Sequence, residues 1–353
     1  MSGSQTPRVD DALTALAREH APRVLALLHD DAPGEAPNTS LSTSDYDDMP
    51  DERLRLIFLC CHPALDVDSQ VALTLRLIGG LTTPEIASSF LLPEATLGQR
   101  IVRAKRKIKL ANIALHLPSN PRQRLGAVLA VIYLIFNEGY LSHANEAGLR
   151  LNLLEESARL VALLQKLVPD DAEVEGLRAM QLFAVARLAT RFDRNGELVL
   201  LAGQDRSRWD LTTIRQANDV LTRAMSRMQP GPSQIQALIA SYHANAPVAG
   251  DTNWTMIASL YAQLDAMTAS PVVRYCAVAV AMADGPGPGL ARLDTVVGLQ
   301  YNHLFHASRA ELLLLAGFPT AARDAFDRAH SLATNPVERR HLQRRLDTLE
   351  RGL

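Results

Sequence analysis

The chain has few cysteines and almost no net charge, and each shortage excludes a class of protein. Its 353 residues include three cysteines, Cys60, Cys61 and Cys276. No disulfide framework is expected, and a reducing, cytoplasmic location is predicted. The formal net charge is −2, so affinity for nucleic acid would have to come from a local cluster of cations. No apolar run approaches the ~20 residues of a membrane span, so no membrane association is predicted.

Motifs of catalysis are also missing. The sequence contains no phosphate-binding Walker loop, no dinucleotide-binding glycine pattern and no nucleophile elbow, so we predict neither an enzyme nor a bound cofactor. Cys60 and Cys61 precede His62, which suggests a metal site at first sight. However, adjacent helical positions point about 100° apart, and no second Cys/His pair follows at zinc-finger spacing. Buried thiols are the favoured interpretation, and no metal ligand is predicted.

Helical periodicity dominates from Asp51 onward, and no window shows strand alternation flanked by hairpin turns. The sequence therefore predicts an all-α fold, in which a helix-turn-helix domain precedes a domain of tetratricopeptide-like helical hairpins. We expect an N-terminal segment and linker at 1–50, with one helix near 12–28. The helix-turn-helix domain should cover 51–115 and the hairpin domain 116–353. Predicted helices of the last domain are 122–136, 154–167, 172–190, 211–228, 231–244, 253–267, 271–283, 303–316, 319–332 and 336–350.

Residues 81–109 predict a short capped helix, a turn and a longer basic helix. Thr82 is placed to cap the first helix, and Glu85 completes a capping box. Pro93 ends that helix because it cannot supply an amide for continuation. Such an arrangement is typical of a helix-turn-helix, whose second helix enters the major groove of DNA.

The second of these helices has two chemically different sides. Leu97, Ile101, Ala104 and Ile108 recur at helical spacing and should face inward. Arginine can bind guanine with two hydrogen bonds and glutamine can read adenine, whereas lysine mostly contacts phosphate. The predicted base or near-base contacts are Thr96, Gln99, Arg100 and Arg103. The predicted phosphate contacts are Lys105, Arg106, Lys107 and Lys109. An amphipathic helix whose charges only interact with water is the alternative.

Two later segments have their own signatures. Small and aromatic residues in the last part fall at the spacing of a tetratricopeptide helix pair; they are Ala310, Gly317, Ala322, Phe326 and Ala329. The polar segment 204–210, Gln-Asp-Arg-Ser-Arg-Trp-Asp, has two interpretations. A charge-paired corner that braces two helices is favoured over a contact with a ligand or partner.

Several motifs in one order resemble a known family. Asp51-Glu-Arg-Leu-Arg-Leu-Ile-Phe, Cys60-Cys-His-Pro-Ala-Leu and Val71-Ala-Leu-Thr-Leu-Arg-Leu-Ile-Gly-Gly-Leu-Thr-Thr-Pro-Glu-Ile-Ala resemble region 4 of extracytoplasmic-function (ECF) RNA polymerase sigma factors. The C-terminal part resembles the subgroup with a tetratricopeptide-like extension, through Tyr133-Leu-Ile-Phe-Asn-Glu-Gly-Tyr, the segment 204–210 and Ser270-Pro-Val-Val-Arg. The resemblance covers about 51–350.

This resemblance implies a function in transcription initiation. Region 4 of the family binds the −35 promoter element with its second helix and docks on the flap of the polymerase β subunit. Promoter DNA and core RNA polymerase are therefore the expected partners, with Thr96, Gln99, Arg100 and Arg103 facing the DNA. The family's extension is thought to regulate activity, so a regulatory protein partner of the C-terminal domain is a further expectation.

One departure from the family concerns region 2, which grips the polymerase clamp and opens the −10 element. Only Leu16-Ala-Arg-Glu-His-Ala-Pro-Arg-Val-Leu-Ala-Leu-Leu resembles its start, and the chain is expected to lack most of it. The alternative function is therefore an interaction scaffold, or a decoy that binds polymerase without initiating transcription. Promoter-specific transcription separates the two.

Overall fold

A computed structural model describes residues 51–90, 92–110, 120–140, 149–268 and 277–352. Over these ranges the fold is all-α, as predicted, and an isolated β-bridge joins Phe192 to Leu198. The α-helices are α1 (Glu52–Cys60), α2 (Val67–Leu77), α3 (Thr83–Ser89), α4 (Glu94–Leu110), α5 (Leu125–Tyr140), α6 (Leu151–Leu167), α7 (Ala172–Val185), α8 (Leu211–Ser226), α9 (Pro232–Asn245), α10 (Trp254–Thr268), α11 (Ala277–Asp284), α12 (Pro286–Asp294), α13 (His303–Leu315), α14 (Pro319–Leu332) and α15 (Pro336–Gly352).

Most predicted helices occur within a few residues of their expected bounds, and two differences have physical reasons. Helix α7 stops at Val185, five residues before the predicted end at 190. Its next carbonyl, Ala186 O, accepts a hydrogen bond from Asp210 N at 2.9 Å, so the chain turns toward 204–210. Helix α12 was not predicted, because it begins at Pro286 after Gly285, and proline and glycine usually indicate a break. Proline is nevertheless tolerated in a first helical turn. The predicted helix 12–28 and residues 271–276 lie outside the described ranges.

The chain divides into two compact units, Met1–Ile135 and Phe136–Leu353. The predicted boundary at 115/116 lies outside the described residues. In the first unit, Asp51 and Asp66 cap α1 and α2 by accepting hydrogen bonds from Leu54 N and Ser69 N at 2.8 and 2.9 Å. Four residues at helical spacing along α1 and at its C-terminal cap are buried; they are Leu54, Ile57, Phe58 and Cys61.

In the second unit, helices α7, α8 and α9 enclose one apolar core around Phe183 and Trp209. A second core joins the antiparallel pair α13 and α14 to α15 around Phe326. Gly317 makes the turn between α13 and α14 with φ +82°, a left-handed conformation that favours glycine. The small and aromatic residues singled out on this pair are buried, as their spacing predicted; they are Ala310, Ala322, Phe326 and Ala329.

Segment 204–210 braces the helices of the first of these cores. Asp210 caps α8 through hydrogen bonds from Thr212 N and Thr213 N at 2.9 and 3.0 Å. Trp209 is buried, and its indole Nε1 donates to Thr190 Oγ1 at 2.9 Å. The segment therefore braces the helices, as predicted, but the predicted charge pairing is wrong. Arg206 donates to the carbonyls of His243 and Ala246 and stacks on Trp209, and Arg208 donates to Ala189 O.

His243, near the end of α9, should make stability depend on pH. Burial, with repulsion from Arg187 and Arg206, lowers the pKa of His243 from 6.5 to about 4. Since the unfolded chain binds this proton more tightly between pH 6.5 and 4, the free energy of unfolding should fall as the pH falls through that window. Urea unfolding at several pH values should show a shallower dependence for His243→Gln than for the wild type. His330→Gln, on α14, is the control. If the free energy of unfolding depends on pH equally in the wild type and in His243→Gln, His243 is not the group responsible.

Candidate nucleic-acid interface

The short helix α3 is held by the capping box that the sequence predicted. Thr82 N donates to Glu85 Oε2 at 2.5 Å, and Glu85 N donates to Thr82 Oγ1 at 3.4 Å. Two otherwise unpaired amides of the first turn are thereby satisfied. Ile86 and Ala87 are buried beneath the helix, so α3 supports the longer helix that follows it.

One side of α4 is buried against α2 and α3. The four apolar residues predicted to face inward are all buried; they are Leu97, Ile101, Ala104 and Ile108. Removing a large aliphatic side chain from water stabilises by about 1.5–3 kcal/mol. This burial fixes the rotation of α4 about its own axis, and therefore fixes which residues face away from the domain.

The opposite side of α4 is exposed and basic. From Arg100 to Lys109 the sequence has six basic residues and no acidic one. Most of the predicted DNA contacts lie on the exposed side; these are Thr96, Gln99, Arg103, Arg106 and Lys107. Lys105 is half-buried at the edge, and the side chain of Lys109 lies outside the described portion of the chain. A helix with this surface can present amide and guanidinium groups to base edges, with further cations for phosphates.

Arg100 is oriented differently from the other predicted base contacts. Its Nη1 donates to Asp68 Oδ2 at 2.7 Å, and its guanidinium carbon lies 5.9 Å from the centroid of the Phe90 ring. The arginine side chain is 27% exposed and the aspartate side chain 60% exposed. Arg100 therefore lies at the flank of α4, where it joins α4 to the first turn of α2.

Two residues of this surface were missed by sequence reasoning. Val102 is 64% exposed on the outward side of α4; it lies three residues after Gln99, a spacing that could have revealed it. Asp68 is separated from Arg100 by 32 residues, and no local sequence pattern predicts that ion pair.

Cys60 and Cys61 are the buried thiols that the sequence analysis favoured. Burial raises the pKa of each thiol to about 12, with a smaller contribution from Cys61 to the shift of Cys60. Cys61 Sγ lies 3.9 Å from Thr74 Oγ1. Over the described ranges, no group of three or more His, Cys, Asp or Glu side chains is arranged to hold a metal ion.

Comparison with known proteins agrees with this geometry. Residues 55–108 match the family model described as sigma-70, region 4, and 124–225 match a family of unknown function, DUF6596. "Uncharacterized protein R00370" of Rhizobium meliloti (strain 1021) is 41% identical over 303 residues, which are 85% of this chain and 72% of the relative. The chain belongs to the family of that relative. No solved structure matches it significantly.

The region 4 match covers α2 and α3 and most of α1 and α4. A sigma-70 region 4 helix-turn-helix is therefore followed by a helical domain, and region 4 indicates a sigma-factor-like role in binding DNA and RNA polymerase. Among the helices that the structure describes, none is long and apolar enough to cross a membrane.

The ion pair of Arg100 generates a testable prediction. Asp68→Asn removes a negative charge beside the exposed face and releases Arg100 for contact with phosphate. Affinity for duplex DNA should rise, and the slope of log K against log salt should steepen by about one. Because the pair is largely exposed, the free energy of unfolding should change by less than about 1 kcal/mol. Fluorescence anisotropy with a labelled duplex measures both DNA quantities.

Glu52→Gln, on α1, makes the same change of net charge and serves as the matched control. A fall in DNA affinity for Asp68→Asn, with Glu52→Gln unchanged, would show that Asp68 instead holds Arg100 in a DNA-binding position.

Proposed function

We propose that the protein is a sigma factor of the ECF type, which recognises the −35 promoter element through α4. The observation that carries this proposal is the exposed basic side of α4 within a region 4 domain. Its cations and Gln99 face solvent because the apolar side of the same helix is buried. An α-helix with these residues fits the major groove in width and in hydrogen-bonding chemistry.

We assign the predicted DNA contacts to two roles. Thr96, Gln99 and Arg103 occupy the first part of the helix, the part that contacts base edges in helix-turn-helix proteins. Lys105, Arg106, Lys107 and Lys109 follow toward its C-terminal end, and we assign these four to phosphates. In the free protein, Arg100 Nη1 lies 2.7 Å from Asp68 Oδ2. Arg100 therefore has to break this ion pair before it can contact a base.

The remaining parts of the proposal follow from the resemblance to the family. Region 4, within 51–115, docks on the flap of the polymerase β subunit. The helices of 116–353 form a tetratricopeptide-like extension that regulates activity, through a protein partner or through another signal. The burial of small residues on α13 and α14 supports this description. Promoter DNA and polymerase would place the protein in the cytoplasm, and the proposal includes no catalytic role and no cofactor.

Arg103→Ala tests the base-reading assignment. A base-contacting arginine contributes about 1–3 kcal/mol of discrimination, so Arg103→Ala should lose roughly that much affinity for a duplex selected from a random library by the wild type. Its affinity for an unrelated duplex should change much less. Lys107→Ala, four residues further on, removes one positive charge and should weaken binding to both duplexes by the same factor. Equal losses on both duplexes for Arg103→Ala would show that Arg103 contacts phosphate instead.

Run-off transcription with core RNA polymerase tests the proposed function as a whole. A functional sigma factor yields a transcript that begins at one position and depends on the duplex selected above, and Arg103→Ala should reduce that transcript. Polymerase binding without a promoter-specific transcript would contradict the proposal and support the decoy, a protein that occupies polymerase but cannot initiate. Co-sedimentation of the protein with core polymerase supplies the binding measurement.

A further inference from the structure

Three arginines at the corner of α7, α8 and α9 have no carboxylate partner. Arg187 and Arg191 follow α7, and Arg206 belongs to the bracing segment; all three are half-buried. Several other partly buried arginines in this unit pair with acids. Arg227, for example, contacts Glu175 at 3.0 Å. Among the residues that the structure describes, no carboxylate oxygen lies within 4.0 Å of the three corner guanidiniums.

Arg206 uses only part of its hydrogen-bonding capacity. Nη1 donates to the carbonyls of His243 and Ala246 at 2.6 and 2.8 Å, which satisfies the C-terminal end of α9. The guanidinium carbon lies 4.5 Å from the centroid of the Trp209 ring. A guanidinium has five N–H donors, and within the described ranges Nε and Nη2 of Arg206 have no acceptor.

Arg187 and Arg191 show the same surplus of donors. Arg187 Nε donates to Phe183 O at 3.2 Å, and the guanidinium carbon lies 5.9 Å from the centroid of the same Trp209 ring. Arg191 stacks 4.0 Å from the centroid of the Tyr140 ring. Its Nε is buried without a hydrogen-bond partner in the described structure. An unpaired buried donor of this kind is rare in proteins, and a bound acceptor would satisfy it.

The surrounding charges do not neutralise the three cations. Burial lowers the pKa of Arg191 against an opposing charge interaction and hydrogen bond with Tyr140, and burial also lowers the pKa of Arg206. Repulsion from Arg187 adds to both shifts. Glu338 acts on Arg191 and Asp251 on Arg206 from a distance, without ion pairs. Glu338 is instead hydrogen-bonded to His303, with 2.9 Å between Glu338 Oε2 and His303 Nε2. Carbonyls at the helix ends offset part of the positive charge. The two acids, Glu338 and Asp251, do not balance the three arginines.

We propose that Arg187, Arg191 and Arg206 form a binding site for a small phosphate-bearing ligand. Phosphate oxygens match the planar fork of arginine, and charge-assisted hydrogen bonds to them are about twice as strong as neutral ones. A dianion would satisfy the free donors and reduce the mutual repulsion. The site lies in the helical unit rather than in the DNA-binding domain, so its test is independent of the proposed function.

The two tryptophans of the chain report on this site directly. Trp209 lies against Arg187 and Arg206, and the Trp254 ring contacts His243 at 5.2 Å between centroids. Intrinsic tryptophan fluorescence of the full chain is followed during titration with inorganic phosphate, and separately with glycerol 3-phosphate, at constant ionic strength. We expect a saturable change with at least one of them and none with chloride. Tighter binding of the monoester would indicate an organic phosphate as the ligand, and tighter binding of inorganic phosphate a free ion.

Arg187→Gln should weaken phosphate binding by about tenfold, since it removes a charged donor. Arg194→Gln changes an exposed arginine seven residues after Arg187 and should bind as the wild type does. Arg206→Lys keeps the positive charge and loses the planar set of N–H donors. It serves as a second variant if circular dichroism shows that Arg187→Gln does not fold. The proposal is overturned if the wild type shows no saturable change, if chloride reproduces that change, or if folded Arg187→Gln or Arg206→Lys binds as tightly as Arg194→Gln.

Discussion

The burial of one side of α4 is the constraint on which the DNA-binding face depends. Leu97, Ile101 and Ile108 are almost entirely removed from water, and a helix that buries these positions has to present the other side to solvent. The capping box at Thr82 and Glu85 fixes the supporting helix α3. The charged and hydrogen-bonding side chains therefore project from the helix α4 rather than from a loop. Base recognition requires such a rigid support.

The helical unit is organised by contacts between residues far apart in the chain. Glu197, in the turn bridged by Phe192 and Leu198, accepts from Arg340 Nε at 2.9 Å, and His303 Nε2 lies 2.9 Å from Glu338 Oε2. These contacts tie α15 to that turn and to α13. Arg187, Arg191 and Arg206, the three arginines after α7 and in the bracing segment, belong to the same unit.

The fold class and the exposed side of α4 were predictable from the sequence because both depend on local periodicity. The inward residues of α4 and the capping box are separated by three or four positions, which a helix brings together in a known way. The pair Asp68–Arg100, the pair His303–Glu338 and the stacking of Arg206 on Trp209 beside the end of α9 depend on how helices pack against one another. Val102 is an intermediate case: its position was readable from periodicity, but its apolar side chain suggested burial.

Site-specific photo-cross-linking tests the central claim most directly. A photoreactive amino acid at Gln99, on the exposed side of α4, should cross-link to a bound promoter duplex in the full chain. The same amino acid at Gln123, exposed in the same unit but outside the region 4 match, should not. Cross-linking from Gln123 with none from Gln99 would contradict the account, because DNA would then bind a surface other than α4.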